Sequence, residues 1–199
     1  GSTWVQRGLG INGKASGFGS EVSLSNNSNT VAITGADTVV YDWDGSAWVQ
    51  RGLDISGSSS VSTSTNGNTV AITGSTYTSV GGWSANDTVV YDWDGSVWVQ
   101  RGLQIEPSYL PYSSDAGMSY LMTGFTTRKK VSISSKGNTL AIGRPSNDGN
   151  GMDSGHARIF DWNGNAWVQR GLDIYGRNIG QDIYGRHARD TFGRGLAIS

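Results

Sequence analysis

Residues 42–53 of this chain read DWDGSAWVQRGL. Nearly the same string returns as DWDGSVWVQRGL at residues 92–103 and as DWNGNAWVQRGL at residues 161–172, and its second half, WVQRG, also stands at residues 4–8. Internal repetition of this kind is the signature of an array of one structural unit. The chain is therefore predicted to be built from copies of a single repeat of roughly 45 residues.

Two further strings recur between these copies. Short segments that alternate apolar and hydroxyl residues, such as VSLS, begin at Val22, Val61, Val131 and Leu196. Segments rich in β-branched residues, such as TVAI, begin at Thr30, Thr69 and Thr139. Both patterns are typical of β-strands. With a third strand ending in DW and a fourth beginning at WVQRGL, each repeat is predicted to form a four-stranded antiparallel sheet.

The third and fourth strands are separated by Asp44-Gly45, Asp94-Gly95 and Asn163-Gly164. Such pairs tolerate the positive φ angles of a tight hairpin turn. With a two-residue turn, Tyr41 faces Trp48 across the hairpin. The other repeats then form the equivalent pairs Tyr91 with Trp98 and Phe160 with Trp167. The tryptophans are thus expected to pack within the sheets.

The spacing between strings is fixed at some connections and variable at others. The first strand precedes the second by 8 residues in all three repeats, and the third precedes the fourth by 11. The second precedes the third by 7, 18 and 17 residues, and each WVQRG precedes the next first strand by 18, 13, 33 and 29. Alternate connections of a meander emerge at opposite ends of its strands. All the length variation is therefore predicted on one face, as expected for a scaffold that presents an interaction surface.

The repeats predict a domain organisation. It comprises the last strand of a preceding blade with a loop (1–17), a first blade (18–53), a second blade (54–103), an insert (104–129), a third blade (130–172), and a long loop with the first strand of a further blade (173–199). The opening segment holds a lone fourth strand at residues 4–9. Since repeat arrays need caps or closure, we expect a window from a longer repetitive polypeptide. Closure by oligomerisation and an open stack of sheets are the alternatives.

Composition excludes several classes of function. With 15 Lys and Arg against 16 Asp and Glu, the chain has no long-range attraction for nucleic acid or an anionic membrane. It has no cysteine, so neither disulfides nor thiolate metal sites are available. No stretch approaches the roughly 18 to 20 apolar residues that a membrane span requires. We therefore expect neither a nucleic-acid partner nor a membrane span in this segment.

The repeat, read as FGSEVSLS followed by NTVAITG, resembles the FG-GAP repeat of integrin-α-like β-propellers. Phe18-Gly19 and Phe192-Gly193 match the FG element, and residues 141–145 (AIGRP) approximate the GAP element. The resemblance implies an all-β fold of β-propeller-like blades, either a partial propeller or a segment of a longer array. The links between first and second strands (SNNSN, STNGN and SSKGN) lack the Asp of that family's calcium loops, so no calcium is expected there. The middle repeat lacks both the FG and the GAP elements.

An enzymatic function needs a convergent set of catalytic groups, and the sequence offers few. His156 occupies the position of Asp37 and Asp87, which predicts an exposed strand residue. The recurrent acids Asp42, Asp92 and Asp161 are expected to make turn or cross-strand contacts. The recurrent Arg51, Arg101 and Arg170 are expected to stack on tryptophan or pair with carboxylates of the blades. A ring of these arginines that binds anions is the alternative. We predict no catalytic residue and no enzyme.

Candidate site residues come from the segments that interrupt the repeat. Tyrosine mixed with basic residues is enriched at protein interfaces, and these segments supply the candidate binding residues Trp83, Tyr109, Tyr112, Tyr120, Arg128, Lys129, Lys130, Tyr175, Arg177, Tyr184 and Arg186. A candidate calcium site, with a polar turn as the alternative, comprises Asn147, Asp148, Asn150 and Asp153. The acceptor pattern for N-glycosylation occurs at Asn26 and Asn86. No other cofactor is expected.

The leading functional hypothesis is a non-enzymatic, extracellular or cell-surface repeat protein. It mediates adhesion or builds an extracellular assembly through the face with the variable loops, with other proteins or copies of itself as partners. The resemblance and the two glycosylation patterns favour this location. The first alternative is a carbohydrate-binding propeller in which loop aromatics stack on sugars, and the second is a hydrolase or lyase on a propeller scaffold.

Overall fold

The structure is a computed structural model. It describes residues 3–13, 16–57, 59–78, 82–105, 129–145, 147, 149–150, 154–176 and 197, with the backbone alone at 75–78 and 82–87. All regular structure in these ranges is antiparallel β-sheet. No helix that could cross a bilayer occurs in them.

Each repeat forms one sheet, and its strands follow one another in sequence order. Blade 1 contains β1 (Val22–Leu24), β2 (Thr30–Thr34), β3 (Thr38–Trp43) and β4 (Trp48–Gln50). Blade 2 contains β5 (Ser60–Thr63), β6 (Thr69–Thr78), β7 (Gly82–Trp93) and β8 (Trp98–Gln100). Blade 3 contains β9 (Lys130–Ile133), β10 (Thr139–Arg144), β11 (His156–Trp162) and β12 (Trp167–Gln169), and β13 (Ile174–Tyr175) also pairs with β11. The predicted all-β class of propeller-like blades is confirmed.

The hydrophobic core lies between blades rather than within one. One buried cluster joins Val40 of blade 1, with Ile55, which bridges to Thr38 of the same sheet, to Val61 and Ile72 of blade 2. A second joins blade 2 to blade 3 through Val90, Ile105, Val131, Leu140 and Phe160, among others. Because a sheet has a stable apolar face only when another layer covers it, each blade depends on its neighbour.

The alternating hydroxyl residues of the first strands also join the blades. The Ser23 hydroxyl oxygen accepts the Thr63 N–H at 3.0 Å, and the Ser62 hydroxyl oxygen accepts the Ile133 N–H at 3.1 Å. Lys130 of blade 3 forms an ion pair with Glu21, which precedes β1 of blade 1. The first strands of all three blades therefore converge, as the inner strands of a propeller do.

The pairing of Tyr41 with Trp48, expected if the hairpin turn has two residues, is wrong. Trp43 pairs with Trp48, and Tyr41 pairs with Gln50, so residues 44–47 form a four-residue loop. The Asp44 carboxylate accepts hydrogen bonds from the backbone N–H groups of Ala47 and Ser46, which hold its pKa below the ordinary value. This side-chain turn lengthens the loop by two residues. The register therefore shifts by two, which keeps every side chain on its predicted face but replaces Tyr41 by Trp43 as the partner of Trp48.

Residues 4–9, predicted to be the fourth strand of a preceding blade, form no strand in the structure. Within the described ranges no third strand lies beside them, so their backbone has no ladder to join. Trp83, predicted in a loop, instead lies on β7, where it pairs with Tyr77 of β6. The long link of blade 2 extends the hairpin because its Thr- and Tyr-rich sequence continues to favour strand pairing.

An arginine in each WVQRG segment connects consecutive blades. Within blade 1, the Nε of Arg51 donates to Asp42 at 2.5 Å. Across the junction, its Nη1 donates to the carbonyl oxygen of Gly67 at 2.9 Å and to Asn68 Oδ1 at 3.2 Å, both in blade 2. Its guanidinium lies 5.6 Å from the ring centroid of Trp93 in blade 2. We call Arg51 and its equivalents the junction arginines.

Arg101 repeats these contacts between blades 2 and 3. It pairs with Asp92 of its own blade at 2.5 Å, donates to the carbonyl oxygen of Gly137 at 2.6 Å and lies 5.9 Å from the ring centroid of Trp162. Arg170 keeps the partner in its own blade, Asp161. No blade follows it among the described residues, and its side chain is 62% exposed against 15% and 16% for Arg51 and Arg101.

The glycine after each junction arginine allows a close approach to the next blade. Gly102 has a φ of +72°, and a Cβ added there would lie 2.7 Å from Cζ3 of Trp162. Gly171 has nearly the same φ, +71°, but an added Cβ would meet nothing within 4 Å. The two positions thus differ in their surroundings and not in their backbone.

We predict that Gly102→Ala lowers the free energy of unfolding more than Gly171→Ala does. In both variants the alanine must adopt the left-handed backbone conformation of the glycine, which costs about 1 kcal/mol. Gly102→Ala adds overpacking against Trp162, which typically costs about 1 to 3 kcal/mol. Urea unfolding of both variants measures the difference. Equal losses would show that the glycine serves only its own turn.

Candidate binding face

The variable connections of the repeats lie together at one end of the blades. In blade 3, the side-chain amide of Asn150 donates to the carbonyl oxygen of Gly176 at 2.8 Å, which ties the link between β10 and β11 to the segment after β12. Gly149 of the same link packs on the ring of Tyr175. We call this end, with the links between second and third strands and between successive blades, the loop face. The opposite end, with the short turns, is the turn face.

The turn face is occupied by contacts between blades. The turn between β1 and β2 bonds to that of blade 2 through the Asn26 N–H and the Thr65 carbonyl oxygen at 3.1 Å. The next junction repeats this bond from the Thr65 N–H to the Ser135 carbonyl oxygen at 3.0 Å. The junction arginines bind at these same turns. The turn face thus holds the blades in register, and the constant spacings follow from that role.

His156 lies at the loop face of blade 3 and is buried, contrary to the prediction of an exposed strand residue. The equivalent Asp37 in blade 1 is exposed. The difference arises because β13 continues along β11 in blade 3 and pairs Tyr175 with His156. The Tyr175 ring then covers the imidazole edge to face, with the ring centroids 5.9 Å apart.

Arg158 and Asp173 form a second contact beside His156. The Nε and Nη2 of Arg158 donate to the two carboxylate oxygens of Asp173 at 2.8 and 2.7 Å, a bidentate pair. Gln169 donates to the same carboxylate at 2.8 Å. Burial raises the pKa of Asp173, but the bonds from Arg158 and Gln169 outweigh it and leave the pKa below its ordinary value.

His156 has no hydrogen-bond partner in this cluster. Its Nδ1 lies 3.6 Å from Asp173 Oδ2, beyond hydrogen-bond distance, and neither ring nitrogen is bonded. Burial first, and then the nearby charge of Arg158, lower the pKa of His156 from 6.5 to about 4. The imidazole is therefore neutral at neutral pH.

A small cavity lies beside His156 between blades 2 and 3. Its volume is about 10 Å³, roughly the space of one water molecule. It is lined by Thr88, Ile105, Lys129, Ile142, Arg144, His156, Arg158 and Phe160. No substrate-sized ligand fits a space of this volume, and its lining residues come from both blades of the junction.

Blade 1 presents an open hollow at the equivalent place. Its volume is about 50 Å³, and its lining includes Phe18, Asp37, Tyr41, Gln50 and Asp54. The side-chain amide of Gln50 donates to Asp54 at 2.7 Å. Burial, and then the charge of Asp54, raise the pKa of Tyr41 above its ordinary value. The hollow combines aromatic surface with carboxylates, a composition that suits a polar ligand with an apolar side.

The two blades therefore differ at matching positions of the loop face. Blade 1 has Asp37 and Val39 where blade 3 has His156 and Arg158. In blade 1 the carboxylate that follows the fourth strand, Asp54, has no basic partner among the described residues. The equivalent carboxylate of blade 3, Asp173, is paired with Arg158. The sequence alone drew attention to His156, as an exposed residue, but not to Arg158 or Asp173. The signal was a break in the repeat, HAR at residues 156–158 against DTV in the other blades.

The structure describes four of the predicted binding residues, including Trp83 by its backbone alone. Lys129 is buried at the cavity, Lys130 is paired with Glu21, and Tyr175 packs on His156 while remaining partly exposed. The structure therefore brings Lys129 and Tyr175 to one cluster and places Lys130 at the inner strands. The others lie outside the described residues: Tyr109, Tyr112, Tyr120, Arg128, Arg177, Tyr184 and Arg186.

The candidate calcium ligands are described in part. Asn147 Oδ1 accepts the Gly149 N–H at 2.9 Å, and Asn150 bonds to Gly176 as above, so both side chains take part in the polar turn. Asp148 and Asp153 lie outside the described residues. Groups of three or more metal-ligating acids or histidines do not occur among the residues that the structure describes.

The two glycosylation patterns occupy different environments. Asn26 is exposed in the turn between β1 and β2. Asn86 lies within β7, where the structure describes the backbone alone. Glycosylation at either residue stays a prediction.

Comparison with known proteins gives matches to solved structures alone. No protein-family model and no curated protein matches the sequence, so the FG-GAP resemblance stays a prediction. The chain is similar to a protein of unknown function from Desulfotomaculum acetoxidans, with a TM-score of 0.49 and 12% identity over 78% of this chain and 41% of that one. It is also similar to Kuenenia stuttgartiensis hydrazine synthase, with a TM-score of 0.49 and 15% identity over 79% and 37%. This chain spans less than half the length of either.

We predict that lowering the pH from 6.5 towards 4 destabilises the folded chain through His156. The unfolded chain binds a proton at this residue near pH 6.5 and the folded chain only near 4, so the stabilisation is complete above 6.5 and is lost across this window. The measurement is the free energy of unfolding as a function of pH. The free energy of unfolding of His156→Phe, a variant that keeps the ring contact with Tyr175, should depend less steeply on pH than that of the unchanged chain. An identical pH dependence of the two chains would contradict a buried, neutral His156.

Proposed function

We propose that this chain is a non-enzymatic repeat protein that binds partner proteins through its loop face. It serves in adhesion or in an extracellular assembly at a cell surface. The observation that supports this proposal is the contrast between the two ends of the blades. The turn face is the same in every blade, whereas the loop face changes in length and in chemistry from blade to blade.

The recurrent charged residues are accounted for without catalysis. Asp42 accepts hydrogen bonds from Thr30 at 2.7 Å and from Arg51 at 2.5 Å, and Asp92 and Asp161 have equivalent partners. His156 lies beside Asp173 without a hydrogen bond to it, so it lacks the orienting contact that a general base uses. These contacts favour a scaffold over the hydrolase or lyase alternative.

The extracellular location rests on the FG-GAP resemblance and on the acceptor pattern at Asn26. An N-linked glycan needs an exposed acceptor, and Asn26 meets that condition. The proposal therefore includes secretion or display at the cell surface, where adhesion through a repeated scaffold takes place.

Carbohydrate binding is the second candidate function. The hollow of blade 1 favours it, because Phe18 and Tyr41 offer apolar ring surface beside the hydrogen-bonding groups of Asp37 and Asp54. Binding sites for small molecules combine apolar walls with a few placed polar groups. A hollow of about 50 Å³ accommodates part of one sugar ring, so this site contacts a single sugar unit of a glycan.

We predict that loss of candidate binding side chains in the link between blades 2 and 3 weakens attachment. Beads coated with the chain are tested on a panel of immobilised extracellular proteins and on a glycan array. Tyr109→Ala, Tyr112→Ala and Arg128→Ala combined should weaken protein attachment about tenfold or more, the effect of losing interface anchors. Lys136→Ala, at the exposed turn face, is the control and should attach as the unchanged chain does.

The outcomes separate the candidates. Glycan binding that is lost with Asp37→Ala and Asp54→Ala, without protein attachment, would favour the carbohydrate function. Protein attachment that survives the triple loop-face variant but is lost with Lys136→Ala would contradict the proposal. Absence of attachment to every surface would also count against it.

A further inference from the structure

We infer that the junction between blades 2 and 3 binds a small monatomic anion such as chloride, held between the hydroxyl group of Thr88 and the imidazole of His156. The site is the cavity beside His156, inside the molecule, and it does not depend on the proposed binding partners. Three features support it: buried polar groups without partners, the charges around the imidazole, and the size of the cavity.

Two side chains that line this cavity have buried polar atoms without a hydrogen-bond partner in the described part of the chain. Thr88, on β7 of blade 2, is 1% exposed, and its hydroxyl oxygen is one of these atoms. His156, on β11 of blade 3, is also 1% exposed, and both of its ring nitrogens belong to the same set. Because native proteins rarely leave buried polar groups unpaired, these two side chains indicate a ligand that bonds to both blades.

The equivalent hydroxyl groups of blade 1 do have partners. Thr38, the counterpart of Thr88, donates to the carbonyl oxygen of Gly57 at 2.6 Å. Its cross-strand partner Thr34 is bonded as well. In blade 2 the cross-strand partner of Thr88 is Thr73, whose buried hydroxyl group, like that of Thr88, has no partner among the described residues. The unpaired hydroxyl groups are therefore specific to the second junction and are not a property of the repeat.

The charges around His156 favour an anion over a metal cation. Among the described residues, the charges that act on the imidazole are those of Arg158, Arg144, Lys129 and Asp173. Three of these four are positive, and Asp173 is bonded to Arg158. Blade 2 lines the cavity with uncharged side chains, Thr88 and Ile105. A positive surrounding in a buried site lowers the cost of burying an anion and raises that of burying a cation.

The size of the cavity restricts the anion to a single atom. The volume of about 10 Å³ is roughly the space of one water molecule. A chloride ion is only slightly larger than a water molecule and fits with a small shift of the lining side chains. Phosphate, sulfate and carboxylate ligands are too large.

In the bound state, the hydroxyl group of Thr88 and one ring N–H of His156 donate to the anion. A neutral imidazole carries one such N–H. The ion then connects β7 of blade 2 to β11 of blade 3, at the end of β11 that pairs with β13. It has the role at this junction that the bond from Thr38 to Gly57 has at the first one.

Unfolding in urea tests the site, with sodium chloride compared with sodium gluconate at equal ionic strength. Gluconate is too large for the cavity. A ligand that binds only the folded chain raises the free energy of unfolding with the logarithm of its concentration, by about 1.4 kcal/mol for each tenfold increase above the dissociation constant. We expect this dependence in chloride and none in gluconate.

Two matched variants separate binding from general stability. Thr88→Val removes the hydroxyl group and keeps the shape of the side chain. In gluconate it should be at least as stable as the unchanged chain, because it loses no hydrogen bond, whereas its dissociation constant for chloride should rise about tenfold or more. Thr38→Val loses the bond to Gly57, so it should be less stable in both salts by the same amount and keep the chloride dependence.

The pKa of His156 gives a second measurement, which needs only the unchanged chain. A bound anion favours the protonated imidazole, so chloride should raise this pKa above its value in gluconate. The neighbouring groups do not interfere, since Tyr175 is neutral and the cations keep their charge over this range, and the pKa of Asp173 is held low. NMR titration of the imidazole in the two salts measures the pKa, and His156→Gln identifies the signal by its loss.

Four results would overturn the inference. The first is equal stability of the unchanged chain in both salts, which would leave the cavity to a water molecule. The second is a full chloride dependence in Thr88→Val. The third is a loss of that dependence in Thr38→Val as large as in Thr88→Val. The fourth is a pKa of His156 that is the same in chloride and in gluconate.

Discussion

The junction arginine is the contact on which the rest of the structure depends. The apolar face of a sheet is stable only when another layer covers it, and the two buried clusters of this chain lie between consecutive blades, so the order of the chain comes from stacking one blade on the next. Arg51 and Arg101 do this at the turn face by bonding a carboxylate of their own blade and, at the same time, a backbone carbonyl oxygen and a tryptophan of the next. The glycine that follows each arginine allows the two blades to approach.

This contact explains why one end of the blades is constant. The arginine needs its carboxylate, the turn carbonyl and the tryptophan pair at fixed positions, so neither the turn between the first two strands nor the hairpin between the last two can change in length. The loop face carries no such requirement. Its links vary freely, and its residues range from the exposed carboxylates of blade 1 to the buried imidazole of blade 3. A scaffold of this kind separates the residues that maintain the fold from those available for binding.

The strands were predictable from the sequence because their signals are local and occur three times. The period-two alternation and the constant spacings located all twelve strands of the blades. The hairpin register was not predictable from the Asp-Gly pair, because the Asp44 side chain bonds to the backbone of the turn and lengthens it. The packing role of the recurrent Asp and Arg could be predicted from their repetition. The contacts of the arginines across the junction could not be predicted, because no local pattern in the sequence links Arg51 to Gly67 and Trp93.

The candidate site was less accessible to sequence reasoning. His156 was expected to be exposed by analogy with Asp37, but the burial of a strand end depends on what the chain does after the fourth strand. In blade 3 the chain continues along β11 and places Tyr175 over the imidazole. The Arg158 and Asp173 pair was missed because its members are far apart in the repeat pattern. Breaks in a repeat at matched positions, and not only its insertions, therefore indicate where a blade has specialised.

The most direct test of the central claim compares Arg101→Gln with Arg170→Gln. Both substitutions remove the same contact with a carboxylate of the same blade, but Arg101 alone also reaches across a junction, where its hydrogen bonds are worth about 1 to 2 kcal/mol. The free energy of unfolding, measured in urea for the two variants, should fall clearly further for Arg101→Gln. Equal losses would contradict the account, because they would show that the arginines stabilise their own blades and not the junctions between them.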